Sequence, residues 1–266
     1  MQPLSHAEQK VYLYLEAEGK QVFTVDELKQ AGLGINSSNL WVIVHRLAKK
    51  RWLTRVKRGV YLRLPASAVL EGGVYLEDPF EAALKIFDGY LAFQSALRVH
   101  GLSEYEPFTV FVATKRLSRT VKLVEQYEVK AVKLGHRFLG FEEKNGYRVS
   151  TIAKTFFDCL MHPDLAGGYP EILKSLHKAG SLDWREFVSY YKRFGSSSLA
   201  QKTGYLLTLL RETGFRAPRF VMEYFERQVR VKTRLVWSTA GGKLYKEWLV
   251  TDNVGREKLL SWWLHG

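Results

Sequence analysis

Between residues 36 and 63 the sequence carries side chains suited to reading a double helix. The cluster Asn36-Ser37-Ser38 caps a helical pattern that reaches about Lys50. At about 100° per residue, Leu40, Ile43, Val44 and Leu47 share one face. The other side carries Ser38, Asn39, Trp41, Val42, His45, Arg46 and Lys49, with Lys50 at its end. Such a set can hydrogen-bond base edges, touch a thymine methyl and pair with phosphate, the chemistry of a major-groove helix. Two β-rich stretches follow, Trp52 to Val56 and Val60 to Leu64, joined by Lys57-Arg58-Gly59. Gly59 suits the positive φ of a tight hairpin turn. Lys57 and Arg58 at its tip, flanked by Arg55 and Arg63, are expected at backbone phosphates of an adjacent groove. A second basic set lies near the C-terminus. Residues 229–231 alternate apolar and polar, less strictly to Trp237, which predicts a strand with Arg230, Lys232 and Arg234 on one face, about 7 Å apart. Those three cations suit either a phosphate backbone or a solvated edge strand protected from aggregation.

These groups need a scaffold, and the first 66 residues spell one. Ser5-His6-Ala7-Glu8 is a capping box opening a helix to about Glu18, and Gly19 stops it. Gln21-Val22-Phe23 is a short extended piece. Thr24-Val25-Asp26-Glu27 is a second capping box, opening a brief helix that ends at Ala31-Gly32. Three short helices and then a ribbon are the order of a winged helix-turn-helix. Residues 1–66 therefore read as a DNA-binding domain and 67–77 as a linker. Residues 78–215 read as a mixed α+β body, opened by Asp78-Pro79, with an apolar stripe Ile152, Phe156, Phe157 and Leu160. Residues 216–266 read as a basic, β-rich C-terminal subdomain. The fold class expected is α+β.

Charge follows the same division. Residues 1–66 hold eleven basic and five acidic side chains, residues 67–215 nineteen and seventeen, and residues 216–266 ten and five. The formal charge of +13 is thus concentrated at the two ends, pointing to an anionic partner such as nucleic acid. No apolar run approaches the roughly 18 residues of a membrane span, and the N-terminus lacks a secretory pattern, so a cytoplasmic protein is expected. The rival chemistry is a Mg²⁺-dependent nuclease. Glu128-Val129-Lys130 has the Glu-x-Lys form of restriction-type sites, but the upstream Asp78 falls at a helix start. His100, His136, His162 and His177 show no metal-ligand spacing, and Cys159 sits among apolar neighbours. His100 before Gly101 reads as a helix C-cap, and Trp262-Trp263 as core or interface. The expectation is no enzyme, no metal and no cofactor. An RNA-binding or toxin-binding scaffold is the third reading.

Several blocks resemble one family. Tyr90-Leu91-Ala92-Phe93-Gln94-Ser95-Ala96-Leu97 followed by His100-Gly101-Leu102 is similar to a motif of AbiEi-type antitoxins, transcriptional regulators of viral defence systems. Val149-Ser150, Lys154-Thr155-Phe156-Phe157-Asp158-Cys159-Leu160, Pro163 and Gly167-Gly168 resemble a second block. Gly204-Tyr205-Leu206-Leu207 with Leu210, and Gly59-Val60-Tyr61, resemble two more. The order of these blocks spans residues 1–215. The chain departs from the family pattern at Ala92-Phe93, usually a more polar pair, and at Ala153, usually acidic. The resemblance implies a winged-helix repressor of a two-gene toxin–antitoxin operon, binding an inverted-repeat operator as two copies of a monomer or weak dimer. It also implies an antitoxin role opposing a nucleotidyltransferase-like toxin.

Overall fold

A computed structural model describes residues 3–65, 76–104, 108–124, 127–237 and 240–265. The protein is mixed α+β and packs as two compact units. One comprises Met1–Tyr90 with Pro107–Gly135, the other Leu91–Glu106 with His136–Gly266. No helix among the described residues is long and apolar enough to cross a membrane.

In the first unit the chain runs α1 (His6–Ala17), β1 (Val22–Thr24), α2 (Val25–Gln30), α3 (Ser37–Lys49), β2 (Leu53–Lys57) and β3 (Val60–Arg63). Both expected capping boxes form. The Ser5 amide donates to Glu8 Oε2 at 2.7 Å and the Thr24 amide to Glu27 Oε2 at 2.6 Å, so each helix starts with its orphan donors satisfied. Asn36 caps α3 by accepting from the Asn39 amide at 2.8 Å. The strands pair antiparallel in the order β1-β3-β2, with Phe23 opposite Tyr61 and Arg55 opposite Tyr61 on the other edge. This arrangement is compatible with a winged helix-turn-helix. Leu40, Ile43, Val44 and Leu47 of α3 are buried against Val11, Leu15, Val25 and Leu28, and burying each such side chain is worth about 1.5–3 kcal/mol.

The unit does not stop at residue 66. The expected linker falls largely on residues 67–75, which lie outside the described residues. Beyond it, α4 (Pro79–Ile86) packs on β1. Lys85 secures this contact by donating to the Val22 carbonyl at 2.8 Å and pairing with Glu27 at 3.2 Å and Glu81 at 3.0 Å. Strands β5 (Thr109–Thr114), β6 (Arg119–Val124) and β7 (Tyr127–Lys133) complete the unit, with β5–β7 parallel and β6–β7 antiparallel. Packing therefore divides the chain differently from the expected 1–66 and 78–215 boundaries. Side chains of α4 are partners of β1, a long-range relation that composition along the chain does not display.

In the second unit, Leu91, the last residue of β4 (Tyr90–Leu91), pairs with β9 (Tyr147–Ser150), which also pairs with β8 (Phe141–Lys144). Helix α5 (Phe93–Val99) packs on α6 (Ile152–Met161). The predicted apolar stripe of α6 understates its burial, since every residue from Ala153 to Leu160 is enclosed. Lys154 and Asp158 pair there one turn apart, fully buried, with burial pushing the lysine pKa down and the aspartate pKa up. Around them lie α7 (Gly168–Ala179), α8 (Trp184–Phe194), α9 (Ser197–Leu210) and α10 (Arg219–Glu226). Gly204 of α9 is dictated by close approach, because a Cβ there would be driven into the buried Trp248 indole.

The expected strand over 229–237 forms only at β10 (Thr233–Arg234), parallel to β12 (Val250–Asp252), which also pairs with β11 (Lys243–Tyr245). A buried side chain explains the difference. Gln201 Nε2 donates to the Val231 carbonyl at 2.9 Å and to the Trp248 carbonyl at 2.8 Å, while its Oε1 accepts from the Arg230 amide at 3.4 Å. The backbone groups of residues 230–231 are thus satisfied by an amide rather than by a neighbouring strand, and Val231 is left exposed. The C-terminal helices at Arg256–Leu259 and Ser261–Leu264 pack on α7, with Trp262 and Trp263 both beside the His177 ring.

Candidate nucleic-acid interface

Helix α3 presents its expected outer face to solvent. Ser38, Asn39, His45, Arg46 and Lys49 are exposed, as are the large apolar groups Trp41 and Val42, at 40 % and 46 % of their full surface. A groove of about 540 Å³ runs beside the first turns, lined by Asn36, Asn39, Val42 and Arg46. The ten residue steps from Asn39 to Lys49 span about 15 Å of helix.

Trp41 does more than face outward. Lys29 Nζ of α2 sits 5.8 Å from its ring centroid, and a Cβ at Gly59 would come within 3.8 Å of the indole. The ring therefore stands near both α2 and the hairpin tip, on the exposed side of α3. Gly59 is the turn residue, with φ +81°, a backbone conformation that favours glycine. At the tip, Arg55 and Arg58 are exposed, and neither they nor Arg46 and Lys49 have a carboxylate partner among the described residues.

Three expected cations are placed differently. Lys50 is half-buried, pairing with Glu8 at 2.7 Å and donating to the Pro3 carbonyl at 2.8 Å. Burial opposes the charge on Glu8, but its hydrogen bonds from Lys50 and Ser5 outweigh that and hold its carboxyl below the usual range. Lys57 keeps surface exposure, yet its ammonium turns to the Ile86 carbonyl at the end of α4 and lies 5.9 Å from the Phe87 centroid. Burial first, and then the neighbouring Arg119 charge, lower its pKa. Arg63 is buried on the central strand, 3.7 Å from Glu16. Each found an acceptor that only the folded chain brings near.

Sequence reasoning also missed a basic segment. Residues 115–120, Lys115-Arg116-Leu117-Ser118-Arg119-Thr120, form the β5–β6 connection and the first two positions of β6, and are exposed. Strand β2 touches β6, so Arg119 stands close enough to Lys57 to repel it. The signal existed as three cations within five residues, but averaging over the nearly neutral middle of the chain concealed it. Arg230, Lys232 and Arg234 are all exposed on the second unit.

The residues named for rival chemistry have structural partners. Glu128 accepts from Thr109 Oγ1 at 3.1 Å across the parallel strands, and Lys130 lies over the Phe111 ring. Asp78 caps α4, accepting from the Phe80 and Glu81 amides at 2.9 Å each. His100 is the C-cap of α5, and its Nε2 lies 2.7 Å from the Ser150 carbonyl oxygen. Cys159 is buried, and burial raises its thiol pKa. No group of three His, Cys, Asp or Glu that could hold a metal occurs among the described residues.

The segment that builds this face has relatives. Residues 10–63 match the family model described as transcriptional regulator, AbiEi antitoxin. No curated protein matches the chain. The AbiEi match begins in α1 and ends on the last residue of β3, so it covers all of α3, the turn at Gly59 and the Trp41 contact. It takes in the outer face of α3 and the β2–β3 hairpin, while residues 115–120 lie outside it.

Proposed function

We propose that the protein is a sequence-specific double-stranded-DNA-binding transcriptional repressor that inserts α3 in the major groove. The observation that carries this reading is the exposed α3 face with the hairpin tip close to Trp41, and Arg46, Lys49, Arg55 and Arg58 without carboxylate partners among the described residues. Unpaired cations around an exposed polar-and-apolar helix face match a groove lined by phosphates, and the AbiEi regulator match over the same residues agrees. In this reading Ser38, Asn39, Trp41, Val42, His45 and Arg46 meet bases. Lys49, Arg55 and Arg58 engage phosphates, with Arg230, Lys232 and Arg234 as a second phosphate-binding set. The resemblance supports autoregulation of a toxin–antitoxin operon through an inverted-repeat operator, in the cytoplasm, and antitoxin action against a nucleotidyltransferase-like toxin.

The test is binding of the full chain to the DNA upstream of its own gene, compared with scrambled duplex of equal length. Specific binding is expected, and His45→Ala or Arg46→Ala should lower affinity for the operator while leaving affinity for scrambled DNA nearly unchanged, each lost base contact costing about 1–3 kcal/mol of discrimination. Equal affinity of the unaltered chain for both duplexes would overturn sequence-specific recognition.

A further inference from the structure

The second unit contains a cavity of about 530 Å³ that the reading of α3 does not involve. Its walls are largely apolar, formed by Leu160, Tyr169, Leu199 and Leu235. Only two lining residues are charged, Asp164, which is exposed at the rim, and Lys202, which is 9 % exposed. Lys202 has no carboxylate or hydrogen-bonding partner among the described residues. Its ammonium lies 5.6 Å from the ring centroid of Trp237, which stands at the cavity edge and is 76 % exposed. An enclosed ammonium with no counter-charge is costly, and burial lowers its pKa. The same cavity receives the first turn of α9, a 14-residue helix capped by Ser196, and a helix N-terminus favours negative charge. The lysine side chain, projecting from the second turn, leans back toward that end.

Two independent features thus favour an anion at one place, and the remaining wall favours an apolar body. One cation balances one negative charge. A dianion such as a phosphomonoester would carry surplus charge into an apolar enclosure with Asp164 at its rim, so the fit is to a monoanion. We propose that this cavity binds a small organic monocarboxylate, its carboxylate on Lys202 and the first turn of α9, its apolar body along Leu160, Leu199 and Leu235, and an aromatic portion against Trp237.

The probes are 1-naphthylacetate and its methyl ester, which share a body and differ by the charge, titrated calorimetrically into the full-length chain. The acid should bind one per chain with a Kd no weaker than about 1 mM. The ester should bind at least about tenfold more weakly, the factor that one charge-assisted hydrogen bond supplies. Lys202→Met, which keeps the length and apolar character of the stem, should reduce the acid to the level of the ester. Lys243→Met, removing an exposed cation elsewhere on the unit, should leave the acid's affinity unchanged. Trp237→Ala, at an exposed position, should weaken acid and ester alike. Should Lys202→Met fail to fold, Lys202→Gln serves the same comparison. Equal binding of acid and ester, retention of the preference in the Lys202 variant, loss of it in the Lys243 variant, or no binding of the acid overturns the proposal.

Discussion

Replacing Arg55 and Arg58 together with alanine tests whether the cations proposed to face phosphate differ from those occupied within the fold. Both are exposed and lack carboxylate partners among the described residues, whereas Lys50 pairs with Glu8 and Lys57 donates to the Ile86 carbonyl. Each phosphate neutralised contributes about 0.9 to the slope of log affinity against log salt. The double substitution should therefore flatten that slope by about 1.8. Raising salt fourfold should then weaken the variant about twelvefold less than the unaltered chain, by the same relation. Fluorescence anisotropy of a labelled operator duplex across a KCl series reads this directly. Lys57→Met and Lys50→Met serve as comparisons and should each change the slope by less than about 0.4, well under one phosphate's share. An unchanged slope in the double variant, or equal flattening by the two lysine variants, would refute the assignment of charge to the wing tip.

Other consequences are as specific. Arg119→Ala, by removing the charge beside Lys57, should raise the Lys57 pKa, observable as a shift in the titration of its side chain by NMR. Glu8 is held below its ordinary value of 4.5, so its stabilisation is fully present above that value and lost as pH falls through the lower folded-state pKa. Glu8→Gln should cost about 1–3 kcal/mol near neutrality, and thermal melts should show the gap to the unaltered chain closing between roughly pH 5 and pH 3. Gly204→Ala should destabilise the chain by about 1–3 kcal/mol in denaturant unfolding, because the added methyl has to displace the Trp248 indole. Lys202→Met should raise the melting temperature in the absence of ligand, the gain being about 0.5–2 kcal/mol from removing an enclosed and unpaired charge.

What the sequence displays and what it hides divide along the range of the interactions. Both capping boxes, the four buried residues of α3 and the turn at Gly59 depend on neighbours within about four residues, and all three form as expected. The strand over 229–237 depends on Gln201, some thirty positions earlier, which answers that backbone with an amide, so alternation alone is misleading there. The α6 stripe misleads in the opposite direction. Helices pack around it, and even the polar Lys154 and Asp158 are drawn in as a pair.

Charge shows the same limit, and it bears on function. A segment average treats every lysine and arginine as equivalent, yet folding turns the ammonium groups of Lys50 and Lys57 onto Glu8 and the Ile86 carbonyl and leaves the guanidinium groups of Arg55 and Arg58 without carboxylates among the described residues. It also brings Arg119, from a stretch whose surroundings average near neutrality, against the base of the wing. Like charges placed together without a carboxylate between them raise the energy of the free protein. An external anion relieves that repulsion, so part of the affinity for a polyanion is built into the fold before contact. On the proposed reading, binding energy at this face follows which cations the fold leaves unanswered, and their total number is a poor guide to it.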